Sequence, residues 1–131
     1  MKLTEEQIMI AMVWWLNRIT DKAPRFYYDY SYPEIAEEPT GKKCIRLVRI
    51  EFFKYYLNCL LHDVSKENLI TDDFCLTYDE NDTKNILYQA LYLSHLSPAF
   101  VPRNTKMIFK DDSVYVSMYG NEYIRITEAD E

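Results

Sequence analysis

Glycine occurs only twice in 131 residues, at Gly41 and Gly120, where a usage of about 7% is ordinary. Glycine lets backbone turn left-handed without steric cost and approach a phosphate closely. A chain this poor in it cannot carry the loops that nucleotide sites depend on. No P-loop, no GxGxxG turn and no GxSxG nucleophile elbow is present. Whole classes of enzyme are made improbable before any other residue is weighed.

The length fits a single domain over 1–131, large enough to bury a core without disulfide or metal staples, with residues 128–131 expected to fray. The 48% hydrophobic and 27% charged content is that of a globular protein. No run of about 18 apolar residues exists, so no membrane span is expected. The acidic start, Thr4-Glu5-Glu6, does not read as a secretory signal. Cys44, Cys59 and Cys75 are odd in number, widely spaced and set among apolar residues. They are expected to be buried, reduced thiols of a cytoplasmic protein rather than zinc ligands or a redox pair.

The periodicity changes along the chain. Thr4-Glu5-Glu6-Gln7 is a capping-box pattern and predicts a helix over 5–20. Ile8, Met9, Met12, Trp15, Leu16 and Ile19 share its core face, with Ile10 and Trp14 on the far side. Pro24, Pro33 and Pro39 then interrupt helix around an aromatic stretch, with a short strand candidate at 25–32. A second helix over 42–62 is apolar on two sides, Ile45/Val48/Phe52/Tyr55/Tyr56/Cys59 and Ile50/Phe53/Leu57/Leu60/Leu61, as expected of a central element. Residues 72–78 are a further strand candidate. Asn81 or Asp82 is expected to cap a third helix over 82–95. Lys106–Lys110, Ser113–Tyr119 and Glu122–Thr127 are β-rich, separated by Asp111-Asp112 and Gly120-Asn121 as turns. Val114, Val116 and Met118 should face one way, and Tyr115, Ser117 and Tyr119 the other. Helices followed by a three-stranded antiparallel meander make an α+β fold.

No catalytic residue is assigned, and no metal or cofactor is expected. His62 and Asp63 are adjacent on a helix and point about 100° apart, so they do not form an acid–base pair. Asp79-Glu80-Asn81-Asp82 lacks the glycine and the terminal Glu of a calcium loop and reads as turn and cap chemistry. Three surfaces remain. The leading candidate is a protein-binding surface made by Trp14, Tyr28 and Tyr30 as anchors, with Glu37, Glu38, Asp111 and Asp112 at its rim, matching a partner with a basic site or a second copy of the chain. An alternative pocket, that of a small enzyme or small-molecule binder, would use Lys84, Tyr88, Tyr92 and His95, of which the last three recur at helical spacing. A third surface, for nucleic acid, would use Lys42, Arg46 and Arg49 with nearby tyrosines for stacking. The net charge of −6 opposes it, although residues 1–66 are nearly balanced and the acidity sits in 67–131.

Small, acidic chains rich in tyrosine (twelve here) and poor in glycine are similar in composition to toxin immunity proteins and phage-encoded inhibitors. That likeness covers no motif. It implies a non-catalytic protein that occludes or sequesters a macromolecular partner.

Overall fold

Thr4 and Gln7 form the reciprocal pair that their spacing predicts. The computed structural model describes residues 2–22, 41–71, 74–79, 81–98 and 101–127, with backbone alone for 20–22 and 41–48. The Thr4 hydroxyl accepts from the Gln7 N–H at 3.0 Å, and the Gln7 side-chain oxygen accepts from the Thr4 N–H at 2.9 Å. Two donors that the start of a helix leaves over are thereby satisfied, and α1 (Glu5–Lys22) begins there.

Gln7 also has a tertiary role. It is fully buried, and its amide nitrogen donates to the carbonyls of Asp111 at 2.9 Å and Ser113 at 3.0 Å. One side chain thus caps α1 and pins a hairpin turn more than a hundred residues away. Leu3 N–H donates to the Ser65 hydroxyl at 2.8 Å, tying the same end of α1 to α2 (Gly41–Lys66).

The described residues hold three helices and a four-stranded antiparallel sheet, an α+β arrangement. The strands are β1 (Cys75–Leu76), β2 (Thr105–Lys110), β3 (Ser113–Met118) and β4 (Ile124–Ile126), ordered β1-β2-β3-β4, with α3 (Ile86–Ser94) between β1 and β2. The expected C-terminal meander is present, and Asp111-Asp112 follow directly on the last β2–β3 pair, Lys110 with Ser113. The register places Leu76, Met107, Val114, Val116 and Ile126 on one face, and all five are buried. The helices cover that face. α1 lies against β3 and α2, and α2 against α3.

Several boundaries and faces differ from expectation. The buried arc of α1 is Ile8, Ile10, Ala11, Trp14, Trp15 and Ile19 with Gln7, turned roughly 90° from the face the hydropathy suggested. Met9 is exposed instead. The cause is that α1 is covered on two flanks, by α2 and by the sheet, so Trp14 packs inward edge-to-face against Trp15 with ring centroids 4.9 Å apart. α2 continues to Lys66, and one of its apolar sides, Ile50, Phe53, Leu57 and Leu61, is buried. On the other, Phe52 and Tyr55 are 50% and 60% exposed. Of the 72–78 candidate, β1 holds Cys75–Leu76 and residues 74 and 77–78 are not strand, while 72–73, like 25–32 and 128–131, lie outside the described residues.

Where glycine is missing, other residues take its backbone role. Asn68, His95, Asn104, Asp111 and Tyr119 all have positive φ, between 54° and 60°. Asn and Asp reach this region at least cost, whereas histidine and tyrosine carry more strain. Tyr119 and Gly120 are consecutive left-handed residues, closed by Asn121 N–H donating to Met118 carbonyl at 3.0 Å. The turn is therefore Tyr119-Gly120, one residue earlier than Gly120-Asn121, and β4 starts only at Ile124.

Candidate binding surface

α3 starts later than its acidic approach suggested. Asp79 and Asp82 each use a side-chain oxygen to hold a turn, on Asn81 N–H at 2.9 Å and Lys84 N–H at 3.2 Å. Two successive turns result, and Asn85 is the N-cap, its side-chain oxygen accepting from Leu87 N–H at 2.9 Å and Tyr88 N–H at 3.4 Å. At the other end His95 takes the left-handed cap position. Its N–H donates to Tyr92 carbonyl and Leu96 N–H donates to Leu91 carbonyl, a Schellman closure. Leu91 and Leu96, the apolar pair of that motif, are both buried.

This short helix buries Ile86, Leu87, Ala90 and Leu91 and presents its other side to solvent. Tyr92 is 72% exposed and Leu93 44% exposed. Tyr88 is half-buried and stacks on Tyr78, ring centroids 6.1 Å apart and planes 13° from parallel. Tyr78, Tyr88, Tyr92, His95 and Pro98 border a concavity of about 390 Å³. Tyr88, Tyr92 and Leu93, with Thr83 and Gln89, border a second of about 500 Å³. Leu93 also lines the first, so Tyr88, Tyr92 and Leu93 border both hollows. Of the four residues expected in this pocket, Tyr88, Tyr92 and His95 converge on the first hollow, while Lys84 is exposed and does not line it.

The leading sequence-based surface does not assemble in this way. Trp14 is 3% exposed, so it is a core residue and not a surface anchor. It borders a hollow near Val116 and Met118, with the Arg18 guanidinium over its ring at 4.8 Å. Asp111 and Asp112 are exposed at the opposite end of β3, so the two groups are not gathered in one site. Tyr28, Tyr30, Glu37 and Glu38 lie outside the described residues, as do the side chains of Lys42 and Arg46; Arg49 is half-buried.

His62 has a structural partner on another helix. One ring nitrogen lies 2.8 Å from the Asn58 carbonyl, and the other lies 3.1 Å from both carboxylate oxygens of Glu5. Both neighbours accept hydrogen bonds, so the ring makes both bonds only when it carries two protons. The Asn58 carbonyl and, after it, the Glu5 carboxylate raise the His62 pKa above its ordinary value. Asp63 does not orient it by hydrogen bond, and the pair links α1 to α2. Cys59 and Cys75 are half-buried rather than buried, and neither is in a disulfide. Burial pushes the Cys75 thiol up, away from a reactive thiolate. Among the described residues no three His, Cys, Asp or Glu side chains converge on a possible metal position, and no helix is long and apolar enough to cross a membrane.

Sequence reasoning missed Leu93, Tyr78 and Pro98 as members of the α3 surface. Helical spacing identifies only residues on one face of one helix. Tyr78 and Pro98 come from the segments before and after α3, and meet it only because β1 and β2 pair. No protein-family model, curated protein or solved structure matches the chain.

Proposed function

We propose that this chain is a non-catalytic protein-binding module that occludes a protein partner through the tyrosine surface of α3. The reading rests on one observation above the others: Tyr92 and Leu93 stand in solvent, each bordering both of two adjacent hollows. Isolated exposed apolar residues are common on any protein. A tyrosine and a leucine side by side, flanked by concavities that a partner's side chains can fill, have the form of an interface centre. The action is that of an antagonist, covering the partner rather than transforming it.

The test is affinity capture from the native host extract with the wild-type chain and with Tyr92→Ala. Loss of a tyrosine anchor is expected to weaken a specific partner by roughly 2 kcal/mol, about 30-fold in Kd. Equal capture by the wild type and by a Tyr92→Ala/Leu93→Ser double variant would rule the surface out.

A second reading is a small-molecule site in the same place. The convergence of Tyr88, Tyr92 and His95 on a hollow of about 390 Å³ favours it, since ligand pockets run from about 300 to 1,000 Å³. It predicts ligand-induced protection of those three residues with no protein co-purifying.

A further inference from the structure

Tyr78 and Pro98 also border a second hollow of about 450 Å³, lined besides by Asp79, Asn81, Val101, Pro102, Arg103 and Asn104. The hollow beside α3 has an aromatic lining and the second a more polar one. We propose that the two together form one groove that takes an extended peptide segment of the partner, with a proline or aromatic ring in the tyrosine half and a carboxylate side chain at Arg103. The inference rests on the reading of the chain as a protein binder and specifies the partner's chemistry.

Three features of the groove select that ligand. The first is the ring-lined wall. Tyr78 and Tyr88 are stacked nearly parallel, and Tyr92 and Pro98 continue the wall. Proline-containing segments dock in aromatic-lined grooves because their backbone is already extended and loses little entropy on binding. Aromatic side chains fit the same wall by offset stacking.

The second is charge. Asp79 accepts the Asn81 N–H at 2.9 Å and so holds its own turn. The Arg103 guanidinium is exposed and has no ion pair or hydrogen bond among the described residues. A planar guanidinium matches a carboxylate with two parallel hydrogen bonds, so the Arg103 position favours an acidic side chain over a basic one, while the Asp79 carboxylate stays charged at its own turn.

The third is the pair of amides. Asn81 and Asn104 are exposed on the groove, and neither side chain makes a hydrogen bond among the described residues. Each offers one donor group and one acceptor, the complement of a peptide unit. An extended peptide has no internal hydrogen bonds and presents its N–H and C=O groups to such partners. A small aromatic acid would use the ring wall and Arg103 but not both amides.

The experiment uses fluorescent seven-residue synthetic peptides built on a Tyr-Pro or Pro-Pro centre. One set has glutamates after the centre, one has lysines there, and one has alanine in place of the ring residues. The wild-type chain is expected to bind the glutamate set saturably, with affinity at least about tenfold above the other two. Arg103→Glu is expected to invert the preference between glutamate and lysine peptides. Because Arg103 is exposed, the variant should keep the wild-type circular dichroism spectrum and melting midpoint. Amide shifts of Tyr78, Tyr92, Arg103 and Asn104 should follow the glutamate titration. No saturable binding by the glutamate set, or an unchanged charge preference in Arg103→Glu, overturns the inference. If Tyr92→Ala still abolishes capture of a host partner while these peptides do not bind, the α3 surface stands and the peptide chemistry is wrong. If neither assay responds to Tyr92, both readings fail.

Discussion

At the N-terminal end of α1, Leu3, Thr4, Glu5, Gln7, His62 and Ser65 are bonded in pairs or across to the β2–β3 turn. At the C-terminal end of α3 the backbone is closed as completely, by the Schellman bonds at His95 and Leu96, yet Tyr92, Leu93 and His95 stand in solvent. The first region spends its side chains on holding three elements together. The second satisfies its main chain and leaves side chains unused by the fold. That contrast separates a joint from a surface. It says where substitution should damage stability and where it should damage only recognition.

The largest expected effect breaks the joint. Gln7→Leu keeps a side chain of similar reach but removes the amide, leaving the Asp111 and Ser113 carbonyls and the Thr4 N–H without their partner. A loss of about 2–4 kcal/mol is expected, measured by urea unfolding as a lower midpoint. A loss under 0.5 kcal/mol would mean that the turn finds other partners and the joint is not where stability resides.

Next in size is a change at the surface end that should act in the opposite sense. His95→Gly places the preferred residue at a left-handed cap and is expected to stabilise the fold by about 0.5–1 kcal/mol. The same change removes a ring from the groove and should weaken binding there. Stabilisation with lost recognition would sharpen the contrast. Destabilisation would show that the His95 ring belongs to the fold.

The smallest effect is the pH response of the joint. His62 has its folded pKa raised above the unfolded value near 6.5, so its contribution is fully present below about pH 6.5 and is lost as pH rises through the folded pKa. The pair is largely solvent-exposed, with the Glu5 side chain 85% accessible, and about half a kcal/mol or less is expected. Wild type and His62→Gln compared by urea melts should differ at pH 5.5 and converge at pH 8.5. A difference that grows with pH has the wrong sign for this contact.

What could be read in the sequence was what local chemistry decides. The Thr4–Gln7 capping pair, the Asp111-Asp112 turn, the alternating Val114/Val116/Met118 face and the approximate end of α3 all follow from patterns a few residues long. What could not be read was set by distant partners. Helical periodicity puts Trp14 off the core because α1 alone does not reveal that the sheet covers its second flank. The two apolar sides of α2 are equivalent as sequence, and packing against α1 and α3 selects Phe53 and Leu57 over Phe52 and Tyr55. Gln7 is legible as a cap residue but not as the anchor of a turn remote in sequence. The candidate groove was half legible for the same reason. Tyr88, Tyr92 and His95 share helical spacing, while Tyr78, Pro98 and Arg103 join them only through tertiary folding.

The distinction between joint and surface is tested most directly by measuring stability and recognition on one protein, Tyr92→Ala/Leu93→Ser. Tyr92 is 72% and Leu93 44% exposed, so the unfolding free energy should fall by no more than about 1 kcal/mol, while the partner captured by the wild-type chain is lost. A double variant that unfolds easily, or one that keeps its partner, would contradict the assignment of the α3 tyrosines to binding.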